Sequence, residues 1–117
     1  MSARRVILVA GLALTAAGCA LIGQQAWLCA KAALAANTVT WSQEFKRFGI
    51  RVGAIAPGYI NTEMVAKIRE DILEKLIAQI PVGRLGDMSE ISRTVQFIIE
   101  NDYVNGRNIE VDGAMRL

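Results

Sequence analysis

Ile50-Arg51-Val52-Gly53-Ala54-Ile55-Ala56-Pro57-Gly58-Tyr59-Ile60-Asn61-Thr62-Glu63-Met64 is the stretch on which the reading of this chain turns. Its first seven residues form a short, mostly apolar run of about the length of a buried strand. Pro57-Gly58 then ends the ladder and turns the chain. Tyr59, Ile60, Asn61 and Thr62 follow, bringing backbone donors and a hydroxyl just past the strand end. In open α/β sheets, ligands occupy the crevice beyond the carboxyl ends of parallel strands. The stretch therefore predicts a sheet strand that delivers a small polar loop to a ligand crevice.

On either side the pattern alternates between helix and strand. Ala26 to Phe48 is alanine-rich, with Leu34, Val39, Trp41 and Phe45 for bulk, and Lys46, Arg47 and Gly49 form a helix stop. Met64, Ile68, Ile72, Leu76 and Ile80 recur every four residues and predict one amphipathic helix ended by Pro81. Asn61 or Thr62 is placed to cap it. Asp87 or Ser89 caps a further helix through Glu100, with Ile91, Val95, Phe97 and Ile98 as its core face. Asn101 to Arg107 reads as a polar loop with a turn at Asn105-Gly106. Asn108 to Asp112 alternates as a last strand closed by Gly113.

Composition excludes several classes. The 117 residues carry a net charge of +2, from 13 basic and 11 acidic side chains, with no basic stripe interleaved with aromatics. Nucleic-acid binding therefore has no support. Without histidine, the cysteines Cys19 and Cys29 make neither a metal site nor a disulfide framework, and read as two small buried thiols. No glycine-rich turn of the G-x-G-x-x-G kind opens the chain.

The motifs IRVGAIAPGYINTEM, IPVGRLGDMSEI (Ile80 to Ile91), FIIENDYVNG (Phe97 to Gly106) and IEVDGAMRL (Ile109 to Leu117) stand in one order. Together they resemble the short-chain dehydrogenase/reductases, most closely 3-oxoacyl-[acyl-carrier-protein] reductases. The resemblance implies an α/β fold, the C-terminal half of a Rossmann-type doubly wound parallel sheet. It also implies hydride transfer to a carbonyl from NADP or NAD, as in fatty acid biosynthesis. Residues 64 to 80 would be the substrate lid, or else an ordinary surface helix. The 26–48 helix and the C-terminal strand would mediate homo- or hetero-oligomerisation.

The same resemblance divides the chain into an apolar segment, residues 1–22, and a reductase-like region, residues 23–117. The first segment has three readings. Val6 to Gly23 is uncharged and near the length of a membrane span. With Arg4-Arg5 before it, it also fits a secretory signal. The favoured reading makes Val6 to Ala10 a central parallel strand of the reductase fold, because the catalytic-helix motif follows without a break. That reading places the protein in the cytoplasm; the others make it membrane-associated through residues 6–23.

In the resembled family a tyrosine protonates the new alkoxide, a lysine four residues on lowers its pKa and holds the nicotinamide ribose, and an earlier serine binds the carbonyl. A proton donor poised near neutral pH next to a fixed cation is the physical requirement. Here the helix reads Trp27-Leu28-Cys29-Ala30-Lys31. Lys31 matches the lysine, or is a solvated residue at a helix edge. Trp27 stands where the tyrosine belongs, and an indole N–H is no acid in water. The serine position falls on Leu14, or on Ala10 or Gly11 in a shifted alignment, with Thr15 a weak substitute. By resemblance, Pro57 and Gly58 shape the wall of the nicotinamide pocket, Ile60 offers its backbone to the carboxamide, and Thr62 supports the cofactor or simply caps a helix. The expectation is an incomplete or degenerate reductase, inactive alone, or a non-catalytic partner of a full-length relative.

Overall fold

A computed structural model of the chain describes the backbone of residues 6–10 and 24–28, and residues 29–115 with their side chains. The elements run β1 (Val6–Ala10), α1 (Gln24–Glu44), a 3-10 turn (Phe45–Phe48), β2 (Arg51–Pro57), α2 (Glu63–Ala66), α3 (Glu70–Gln79), α4 (Met88–Glu100) and β3 (Arg107–Val111). The three strands form one parallel sheet in the order β1-β2-β3. Within it β2 holds the middle, and the strand predicted over Val6 to Ala10 is present beside it rather than at the centre. Positions 11 and 14 (among the serine candidates), Thr15 and Cys19 lie outside the described residues.

Both faces of β2 are covered, which is why it reads as a continuous apolar run. A Cβ on Gly53 would meet Ile98 of α4 at 3.0 Å, so the odd-numbered face carries α4. Val52 and Ala54 point the other way and are wholly buried, beneath α1. Each crossover joins parallel neighbours through a helix, as this sheet type requires. At the far end of α1, Gly49 adopts the left-handed conformation (φ 67°) and donates to Lys46 O, the stop that its sequence predicts.

The predicted single helix over 64 to 80 is two helices, broken at Lys67 to Arg69. Its spacing explains the failure. At 3.6 residues per turn, steps of four advance about 40° each, so Met64 and Ile80 end up roughly 160° apart. Met64 and Ile72 are accordingly exposed, and Ile80 alone of that series is buried. Glu70 and Asp71 favour a second start, since acids suit the first turn of a helix. A similar offset corrects Phe97, which is 49% exposed while Ile98 is fully buried. Cys29 is exposed, not buried, because it lies off the inward line of Lys31, Leu34 and Thr38 on α1.

Asn105 and Gly106 tie the last loop to β2. Val52 N donates to Asn105 Oδ1 at 2.9 Å, and Gly106 N donates to Val52 O at 2.7 Å. After β3, Gly113 and Ala114 both have positive φ (63° and 68°), and Met115 N donates to Asp112 O. Two positive central residues are what a type I′ turn demands, and alanine is strained in that conformation. Relief of about 1–2 kcal/mol of left-handed strain outweighs the entropic cost of glycine, about 0.5–1 kcal/mol, so Ala114→Gly should raise stability by up to about 1 kcal/mol. Urea unfolding followed by circular dichroism measures this; an unchanged midpoint would show that the turn carries no strain.

Candidate functional site

The three strands point their carboxyl ends the same way, and the polar loop after β2 emerges among them. Pro57 is the last residue of β2, paired with Val111, so the proline lies within the ladder rather than beyond it. Gly58 continues the pairing by donating to Val111 O at 2.9 Å. A Cβ there would stand 2.7 Å from Asp112 Cα, so only glycine lets the two chain segments approach this closely.

The next residues are held from the opposite side. Asn61 N donates to Gly86 O at 2.8 Å, and Gly86 N donates to Tyr59 O at 2.9 Å, forming a parallel bridge centred on Ile60 and Gly86. In such a bridge the flanking peptide groups bond to the partner, and the central residue's own N–H and C=O point the other way. Ile60 thus directs a donor and an acceptor away from Gly86, a set that matches a carboxamide. Thr62 occupies the N-cap position of α2 in an extended conformation, but its side chain makes no capping hydrogen bond.

Gly86 belongs to a turn clamped by charge. Arg84 donates twice to Glu90, Nη1 to Oε2 at 3.0 Å and Nη2 to Oε1 at 2.7 Å. Glu90 Oε2 also accepts from Asp87 N, while Asp87 Oδ1 accepts from Ser89 N, a capping box that starts α4. The Arg84 guanidinium and the Asp87 N–H together hold the Glu90 carboxyl at about 2, well below its ordinary 4.5. A depressed carboxyl adds stability above the unfolded value and loses it as pH falls through the folded one. This clamp should therefore weaken between about pH 4.5 and 2. Carbon-detected NMR titration of Glu90 should show a midpoint that rises toward the ordinary range in Arg84→Ala, held below it by the remaining Asp87 N–H bond.

Beside the clamp is a cavity of about 130 Å³ lined by Tyr59, Ile60, Ile80, Val82, Arg84 and Asp112 among others. It lies between the bridge and the C-terminal turn, where Val82 N donates to Gly113 O. Sequence reading missed both this recess and the Arg84–Glu90 clamp. The signal for the second was Asp87-x-x-Glu90, the spacing of a capping box.

Lys31 lies on α1, its side chain mostly buried, with Nζ 3.7 Å from Glu110 Oε1 on β3. Trp27 occupies the same helix one turn earlier. The structure thus gathers Gly58, Ile60 and Thr62 along one loop, with Pro57 at the end of the strand that feeds it, and sets Lys31 over β3. Among the described residues no group of His, Cys, Asp and Glu is arranged to hold a metal ion, and no helix is long and apolar enough to cross a membrane.

A family profile described as enoyl-(acyl carrier protein) reductase matches residues 6–116. The chain belongs to the short-chain dehydrogenase/reductase family. It is 44% identical over 96 residues to acetoacetyl-CoA reductase of Shinella zoogloeoides, covering 80% of this chain and 40% of that protein. It is 37% identical over 95 residues to 3-oxoacyl-[acyl-carrier-protein] reductase of Thermotoga maritima, covering 80% and 39%. The crystal structure of 3-hydroxyacyl-CoA dehydrogenase type-2 from Mycobacterium avium superposes with a TM-score of 0.81 at 30% identity, over 97% of this chain and 43% of that one. The chain thus spans about two fifths of the length of these family members. The likeness agrees with the parallel, Rossmann-like sheet described above.

Proposed function

We propose that this chain supplies the nicotinamide-side wall of a reductase cleft of the 3-oxoacyl kind, and that its own residues do not complete the proton transfer. The observation that carries this reading is Trp27, one helical turn before Lys31. A nicotinamide cofactor, NADP or NAD, supplies the hydride when bound. Ile60 would meet its carboxamide through the backbone, Thr62 would add a hydroxyl nearby, and Lys31 would hold a ribose hydroxyl. The donor set fits that group: the Ile60 peptide groups face away from the Gly86 bridge, and the Thr62 hydroxyl is not spent on a cap.

As hydride reaches the carbonyl carbon, the oxygen becomes an alkoxide and needs a proton. An indole cannot give one. Loss of a general acid lowers a rate by roughly 10²–10⁴-fold. Purified protein mixed with NADPH or NADH and acetoacetyl-CoA should therefore show no oxidation of the nicotinamide at 340 nm. Saturable turnover in that assay would overturn the reading.

A second reading is favoured by the outer side of α1, where Ala30, Ala32, Ala33, Ala36 and Val39 are exposed. On this reading the chain is a non-catalytic subunit that pairs with a full-length relative through α1 and β3. Co-expression with such a relative, followed by size-exclusion chromatography with light scattering, should give a mixed oligomer; separate elution of the two would reject it.

A further inference from the structure

The Lys31–Glu110 pair has no place in the scheme above, which asks of Lys31 a cation that is free to act on its neighbours. We propose that Glu110 is a charge-neutralising positioning residue, which sets a carboxylate against the Lys31 ammonium and cancels the field that ammonium would lend to an acid at position 27. The inference rests on the reading of Lys31 as the partner of that position.

The placement follows from topology. Helix α1 runs against the strand direction: Ser42, near its end, packs on Gly106 at the start of β3, and Lys31, two turns in, reaches Glu110 near the end of β3. Glu110 is the register partner of Ala56, one residue before Pro57, so it stands beside the mouth of the candidate cleft. Its side chain is 58% exposed and points to the α1 face.

The surface beneath Lys31 is formed mainly by uncharged residues. Val52, Ala54 and Ala56 form that face of β2, Val6 to Ala10 has no ionisable residue, and α1 has no other charged residue from Gln24 to Gln43. Arg107 pairs with Gly53 and so lies on the opposite face. Asp112 accepts from Ala114 N within its turn.

A lone cation within about 4–6 Å weakens the proton affinity of a phenol by roughly 10- to 1,000-fold. A cation with a carboxylate 3.7 Å away presents a dipole instead, whose effect falls off faster with distance. The proton-donating apparatus is thus disabled twice, by the indole and by Glu110. Restoring a phenol alone would leave it with an ordinary affinity.

The test is an NMR pH titration of a reporter at position 27, in Trp27→Tyr, in the same variant with Glu110→Gln, and in both with Lys31→Met added. Trp27→His is a second reporter should the tyrosine variant not fold; the chain has no other histidine, so its signal is unambiguous. The phenol should titrate near about 10 with Glu110 present. Glu110→Gln should weaken its proton affinity by about tenfold, and Lys31→Met should reverse that change. A phenol already well below its ordinary range with Glu110 in place, and raised by Lys31→Met, overturns the proposal while leaving the Lys31 reading intact. No response to either Glu110→Gln or Lys31→Met overturns both.

Discussion

Arg51→Met is expected to destabilise the protein by several kcal/mol, since each carbonyl left without a donor away from water costs about 1–3 kcal/mol. The Arg51 side chain is only 7% exposed, although it opens a strand in the middle of the sheet. Its guanidinium donates to Ile98 O at 2.8 Å, Ile99 O at 2.9 Å, Val104 O at 2.9 Å and Asn101 O at 3.1 Å. Ile98 and Ile99 are among the last carbonyls of α4, which have no partner within the helix. One cation therefore satisfies the end of α4 and the loop behind it, and Asp102 Oδ1 at 3.4 Å adds an exposed counter-charge. Methionine keeps the bulk but leaves the buried Ile98 carbonyl and three part-buried ones without their donor. Lysine should recover little, because a single ammonium cannot span acceptors arranged for a planar fork. A whole domain is stable by about 5–15 kcal/mol, so the shift in urea midpoint should be obvious. A midpoint within error of the parent would mean that water serves these carbonyls equally well.

The second large effect is expected at Gly58. Alanine there would place a Cβ 2.7 Å from Asp112 Cα and 3.2 Å from Asp112 O, and backbone cannot swing aside as a flexible side chain can. Forced overpacking of this sort costs about 1–3 kcal/mol. Relief requires the exit of β2 to part from the end of β3, which breaks the bond from Gly58 N to Val111 O. Loss of protection at the Gly58 amide in hydrogen exchange, with a lowered midpoint, is the signature. Gly49→Ala is the control, since nothing lies within 4 Å of a Cβ there and only its positive φ opposes the change.

The sheet was legible because its strands carry local signals. Val52 to Ala56 is apolar on both faces, and Asn105-Gly106 announces a turn before β3. The helix stop at Lys46, Arg47 and Gly49 is likewise a local matter. What stayed hidden depends on partners distant in sequence. Arg51 is one charge in an otherwise apolar run, and nothing beside it marks its acceptors, which lie about fifty residues away. Gly58 was recognisable as a turn residue, but the need for glycine comes from Asp112 across the sheet. At residues 64 to 80, counting apolar residues every four gave one helix, because the count ignored the drift of a 3.6-residue turn. The candidate site was readable only in part: the loop from Pro57 to Thr62 was placed by its motif, whereas the Glu110 carboxylate beside Lys31 had no mark in the sequence.

The bridge between Ile60 and Gly86 closes the intervening chain into a loop whose two ends meet on the same peptide groups. Such a segment is attached as a handle is attached to a cup: its outer part can be lengthened, shortened or rewritten without disturbing the strands that bear it. Variation in what the cleft admits can therefore accumulate between Thr62 and Gln79, whereas Ile80, Val82 and Arg84 fasten the returning end to the turn after β3 and to α4.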